Sequence, residues 1–152
     1  MAETPRKKRI SIRRARASEI PACAVLYERV GRAAFIWRPK EYFERKNFLR
    51  HSLSEEIYVA VRGGKILGLL AFRRPENFIH HFYVARRAQG KGIGTRLLAF
   101  VRRKSKGPLE LKVDAANKSA SAFYESRGFR RAKGRDATGL DWGKRWWRYR
   151  LG

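Results

Sequence analysis

Apolar residues recur along the chain with two different periods, and each change of period marks a new element. At residues 9–15, 57–61, 66–72, 78–84 and 109–113 they alternate with polar residues or form short aromatic and β-branched runs, as strands require. Gly63 and Gly64, between the second and third of these, supply the positive φ angles of a tight hairpin turn. Elsewhere the period is helical. Ser18 is placed to cap a helix from Glu19, with Pro21 tolerated in its first turn and Gly31 as its expected stop. Tyr42, Phe43, Phe48 and Leu49 place a second helix over 40–53. Leu97, Leu98 and Val101 form the apolar stripe of a third over 92–106, and 118–126 forms a fourth that Gly128 ends. Residues 129–132 and 146–151 are closing strands. The order β-α-α-β-β-β-α-β-α-β-β predicts an α/β (α+β) domain, with helices packed on a partly antiparallel sheet.

Composition sets the outer bounds. The 152 residues, 43% of them hydrophobic, suffice for one domain with its own core. Residues 1–8 read as a basic flexible tip and 9–152 as the single domain. Cys23 is the lone cysteine, so no intramolecular disulfide forms, and its apolar neighbours predict a buried, inert thiol. No apolar run reaches the roughly 18 residues of a transmembrane helix, and the basic N-terminus lacks the apolar stretch of a secretory signal. The expectation is a cytoplasmic monomer or homodimer without a membrane partner. The net charge of +24, with Arg outnumbering Lys about two to one, attracts polyanions such as nucleic acid, the ribosome or a phosphorylated small molecule.

The stretch that carries most chemistry is Val84-Ala85-Arg86-Arg87-Ala88-Gln89-Gly90-Lys91-Gly92-Ile93-Gly94-Thr95, between an apolar strand and an amphipathic helix. Glycines at 90, 92 and 94 let the backbone approach a ligand and turn its N–H groups inward. The following helix adds free N–H donors and about half a positive charge at its N-terminus. Together these make a pyrophosphate cradle. A Rossmann reading fails because the turn follows a β-meander and no βαβ unit with a suitably placed acid comes after it. A Walker reading fails because no Gly-Lys-Ser/Thr ends the loop.

Gln89-x-x-Gly92-x-Gly94 after a strand ending in Val84 resembles the acetyl-CoA pyrophosphate loop of the GNAT acetyltransferases. Asn117-Lys-Ser-Ala120-Ser-Ala-Phe123-Tyr124-Glu-Ser-Arg-Gly128-Phe129 resembles the second CoA segment of the same superfamily, and the residues from Ile12 to Pro21 resemble its first strand and helix. The resemblance implies a mixed central sheet of six to seven strands, splayed around a cofactor cleft and flanked by about four helices. It implies acetyl-CoA as cofactor, held by Phe82, Tyr83 and Val84 on one strand, by Gln89, Gly90, Lys91, Gly92, Ile93, Gly94 and Thr95 in the turn, and by Asn117 and Tyr124 opposite. An N–H near Phe82 would meet the thioester carbonyl.

The same resemblance makes Tyr124 the candidate general acid, since a tyrosine of pKa about 10 is protonated at neutral pH and can donate to a departing thiolate. The base is left between His80, His81 and water. His80 shares strand parity with Val84, only one of the two histidines is expected to face the cleft, and Arg73 or Arg74 across the hairpin would keep it neutral. Many family members carry a glutamate on this strand, and none occurs here. No metal ligands are assigned. Aromatics at 35–48 and 142–149 are expected to wall the acceptor side, with one of Trp146 and Trp147 facing it, and Arg38 and Lys40 placed to meet an acceptor carboxylate or phosphate. The implied reaction is acetyl transfer to a primary amine, on an amine-bearing small molecule or peptide, by direct attack. The competing reading is a basic nucleic-acid- or ribosome-associated module on the same fold.

Overall fold

Among the residues that the structure describes, eight strands form one sheet. The computed structural model describes residues 9–152, and the basic tip expected at 1–8 lies outside the described residues. The strands are β1 (Ser11–Arg14), β2 (Glu56–Arg62), β3 (Lys65–Arg73), β4 (Phe78–Val84), β5 (Leu109–Asp114), β6 (Arg130–Arg131), β7 (Thr138–Asp141) and β8 (Lys144–Leu151). Their order across the sheet is β1-β2-β3-β4-β5-β8-β6, with β7 added on β8, and every neighbouring pair is antiparallel except β4 with β5. The α-helices among the described residues are α1 (Ile20–Ala34), α2 (Arg45–Ser52), α3 (Ile93–Lys104) and α4 (Lys118–Ser126).

The β2 and β3 segments, IYVAV and LGLLAF, are almost wholly buried, because helices cover both sides of the sheet there. On one side α1 and α2 bring Tyr27 and Phe48 against His81 and Tyr83 of β4. On the other, α3 and α4 pack around Phe82, whose ring lies edge-on to those of Phe123 and Tyr124. The hairpin between β2 and β3 turns at Gly63 and Gly64 with φ of 56° and 77°, as that dipeptide predicts.

Three local expectations are corrected. Gly31 does not stop α1, which runs on to Ala34. Its lack of a side chain serves packing instead, since a Cβ there would overlap the ring of Phe43. Ser18 lies in a 3-10 turn rather than capping α1. Glu19 organises that start, taking the Arg16 N–H at 2.8 Å and both arms of Arg13 at 2.7 and 2.8 Å. Arg13 foremost holds its carboxyl down at about 2. The single helix expected over 40–53 is two pieces, a 3-10 turn at Lys40–Phe43 and then α2, broken where Glu44 is extended. β7 was not expected: TGLD has no apolar alternation, and its pairing with β8 makes it a strand.

Candidate active site

β4 and β5 are paired only at Phe78 with Glu110 and at Ile79 with Leu111. Beyond that point the two strands part, although β4 continues to Val84 and β5 to Asp114. On the far side of β4 the ladder to β3 continues, and the Ala85 N–H reaches Leu67 O at 2.8 Å. Strand alternation then turns the N–H groups of Phe82 and Val84 the other way, into the gap. A backbone edge with free donors therefore faces an opening in the middle of the sheet. Two cavities, of about 790 and 540 Å³, open from this gap and share Phe82, Tyr83, Asn117 and Tyr124 as a common wall.

The larger cavity runs along the glycine-rich turn. Gly90 and Gly92 both have φ of 77°, and Gly92 is the residue that opens α3. A Cβ on either would meet nothing within 4 Å, so the backbone angle demands glycine here; the space does not. Gly94 is already helical, and a Cβ there would sit 3.6 Å from the rings of Phe82 and Phe123, an ordinary contact. The Gln89 side chain folds back, its Nε2 donating to Val84 O at 3.1 Å, which fastens the turn to the end of β4. Ile93 offers only its backbone, because its side chain is buried in the core. Lys91 is exposed on the turn and does not line the cavity. Opposite, Asn117 caps α4 by accepting the Ala120 N–H at 3.1 Å, which leaves its amide nitrogen for a ligand. Arg127, outside the positions that the resemblance assigns to the cofactor, reaches across to Thr95 Oγ1 at 2.6 Å and puts a guanidinium on the rim.

Tyr124 stands where the two cavities meet. Among the described residues no side chain or backbone group hydrogen-bonds its hydroxyl. Burial pushes that hydroxyl well above the usual 10, so it holds its proton at any ordinary pH. Tyr83 turns its side chain the other way, into the aromatic cluster of α1, and presents mainly backbone to the gap.

The smaller cavity departs furthest from expectation. Ala71 pairs with His81 and Phe72 with Ile79, so His80 is the extra residue of a β-bulge. The bulge breaks the strict alternation on which one histidine was expected to face away. Both His80 and His81 line this cavity, their rings stacked with centroids 3.9 Å apart. The charge beside His80 is also different. Arg74 is drawn off to Glu56 at 2.6 Å, and the neighbour of His80 is the buried carboxylate of Glu55, 3.0 Å from Nδ1. Arg73 comes to 3.8 Å of that same carboxylate. His81 meets Nδ1 of His51, from the last turn of α2, at 3.1 Å. Burial lowers the pKa of His81 well below 6.5 and that of His51 more modestly, with the neighbouring imidazoles adding to both shifts.

Arg38 does not offer itself to an acceptor anion. Its guanidinium is buried and spent on two carboxylates, with Nε on Asp114 at 2.7 Å and Nη1 on Asp141 at 2.9 Å. Trp37 Nε1 adds a bond to Asp114 at 2.9 Å. The segment after α1 is thereby tied to the end of β5 and to β7, closing the cavity on that side. Lys40 is exposed and outside the cavity. Trp146 lines the cavity while Trp147 faces away under Arg131, as alternation requires. Cys23 is buried, and burial raises its thiol to about 12, which leaves it inert. Among the described residues no helix is long and apolar enough to cross a membrane.

The model of the acetyltransferase (GNAT) family matches residues 22–129. No curated protein sequence matches the chain. Among solved structures, the ribosomal-protein-S18-alanine N-acetyltransferase of Escherichia coli aligns with a TM-score of 0.72 at 20% identity, over 94% of this chain and 93% of that one. The ribosomal-protein-alanine N-acetyltransferase of Brucella melitensis aligns with a TM-score of 0.66 at 25% identity, over 92% and 98%. The PaiA N-acetyltransferase of Thermoplasma acidophilum, in complex with coenzyme A, aligns with a TM-score of 0.72 at 15% identity, over 92% and 98%. A sheet parted beside a glycine-rich turn, together with a family match over most of its length, places the chain in the GNAT acetyltransferase family, as an N-acetyltransferase.

Proposed function

We propose that the chain moves an acetyl group from acetyl-CoA, the cofactor of its family, to a primary amine by direct attack across the gap between β4 and β5. The observation that carries this reading is the parting of those strands. It leaves a donor-bearing backbone edge that leads at one end into the glycine-rich turn and at the other to Tyr124 and His80. The residues present suit the cofactor. The amides of 90–95 and the guanidinium of Arg127 would take the phosphates, the Val84 edge and the Asn117 amide the pantetheine arm, and the Phe82 N–H the thioester carbonyl. Bound there, acetyl-CoA supplies the activated acyl group.

The chain's own groups do the rest. Tyr124 keeps its hydroxyl proton through burial and lines both cavities, which makes it the general acid. His80 accepts the proton of the incoming ammonium, and Glu55 holds its Nδ1 so that the other ring nitrogen faces the cavity. The acceptor enters from the side walled by Tyr42, Trp146 and the tethered Arg38. Releasing a proton from the acceptor costs about 1 kcal/mol at neutral pH for an α-amine and roughly 4 to 5 for a lysine-like amine, so a peptide N-terminus is the less demanding acceptor. Two of the structurally similar proteins are named for acetylating alanine of ribosomal proteins, which supports testing that class first. The test is thiol release from acetyl-CoA with N-terminal peptides, lysine peptides and small amines. Release that depends on the amine supports the proposal; absence of release with every class, in protein that binds the cofactor, contradicts it.

A further inference from the structure

The chain contains three histidines, and the fold gathers all three at one edge of the smaller cavity. His51 comes from the last turn of α2, Glu55 from the turn that follows it, and His80 and His81 from the bulge in β4. One nitrogen or oxygen from each of these four lies within 4.8 Å of the other three. Without the bulge His80 and His81 would point to opposite sides of the sheet and the group could not form.

We propose that His51, Glu55, His80 and His81 form a binding site for a divalent transition-metal ion of the zinc class. Three imidazoles and one carboxylate are a donor set for zinc and its neighbours, whereas magnesium and calcium require mostly oxygen. The spacing agrees. Ligands of a tetrahedral zinc at about 2.0–2.1 Å from the metal lie roughly 3.3 Å apart. His51 Nδ1 and His81 Nε2 are 3.1 Å apart, and His80 Nδ1 and a Glu55 oxygen 3.0 Å. Small side-chain rotations bring the two pairs onto one centre. Glu55 and His81 are buried and held by the surrounding core, so much of the ordering precedes the ion. The opposing charges are Arg50, exposed beside His51, and Arg73, whose half-exposed side chain can swing from its 3.8 Å approach to Glu55 into solvent. On the reading above, an ion at this centre occupies His80 and halts acetyl transfer, so the site is a metal-operated brake. The binding itself does not depend on that reading.

Untagged protein stripped of metal is titrated with Zn²⁺ against a chromophoric zinc indicator and, separately, with Co²⁺ while visible absorption is recorded. The expected result is one ion per chain and the intense visible bands of four-coordinate cobalt. His51→Ala should weaken zinc binding at least about tenfold, because losing a direct ligand costs no less than the 10–100-fold of an outer partner. CoA binding and basal turnover should stay within about twofold, and zinc should no longer inhibit. His51→Gln serves as a second variant in case the smaller residue unsettles α2, with CoA affinity and melting temperature certifying the fold. No zinc uptake at micromolar concentration overturns the proposal, as does uptake that neither variant weakens or a weak, octahedral cobalt spectrum. Zinc binding that depends on His51 but leaves turnover unaffected supports the site and removes His80 from the role of base.

Discussion

The two cavities of this cleft are built in different ways. The phosphate side is mainly a local object: Gln89, Gly90, Gly92, Gly94 and the start of α3 are neighbours in the chain, and their backbone conformations shape the cradle, to which Arg127 adds one guanidinium at the rim. The acceptor side is assembled from distant segments. Arg38 meets Asp114 and Asp141, Trp37 meets Asp114, and Glu55 meets His80. A local site tolerates loss of any one remote contact but depends on its φ angles. An assembled site tolerates backbone adjustment but depends on every charge finding its partner.

The largest effect expected from this contrast is at Arg38. Arg38→Ala leaves Asp114 buried without its counter-charge and should cost about 3–5 kcal/mol in chemical unfolding, as the loss of one partner of a buried pair does. CoA affinity of the folded fraction should remain, because no phosphate-side residue leans on Arg38. If both fall together, the two cavities are one cooperative unit and the contrast fails. Next comes the junction. Tyr124→Phe should lower turnover about 100-fold with CoA affinity unchanged in calorimetry, the size expected for loss of a general acid. An unaffected rate would assign the proton to another route.

Smaller effects test the turn itself. Gly92→Ala forces a side chain into a left-handed angle at a cost of about 1–2 kcal/mol, which should appear as roughly tenfold weaker CoA binding. Gly94→Ala, at a helical position with room for a methyl group, should change affinity by less than about twofold. Equal losses at the two positions would mean that space, not backbone angle, sets the requirement. Asn117→Ala should cost about 1 kcal/mol of stability through loss of the α4 cap, read from the melting temperature.

The same contrast decides how far the sequence could be read. The hairpin at Gly63-Gly64, the glycine-rich turn and the segment from Asn117 to Phe129 could be recognised because their signals lie within a few residues. Nothing in Ile79-His80-His81-Phe82 reveals that one residue is extra, since the bulge exists only relative to the register of β3. Glu55 precedes β2 and carries no local mark of its later position beside His80. Arg38 looked free for an anion because Asp114 and Asp141 lie more than seventy residues away along the chain. Gly31 looked like a helix stop because the demand on it comes from Phe43, across a packed interface.

In the proposed reaction, the amides exposed where β4 leaves β5, together with those of the following turn, receive coenzyme A. Backbone amide chemical shifts recorded during titration with coenzyme A test it directly. The largest, saturable changes are expected at Phe82, Val84 and residues 90–95, with little change at the Arg38–Asp114 tether. Saturable changes confined to other surfaces, or none at those amides at full occupancy, would contradict it.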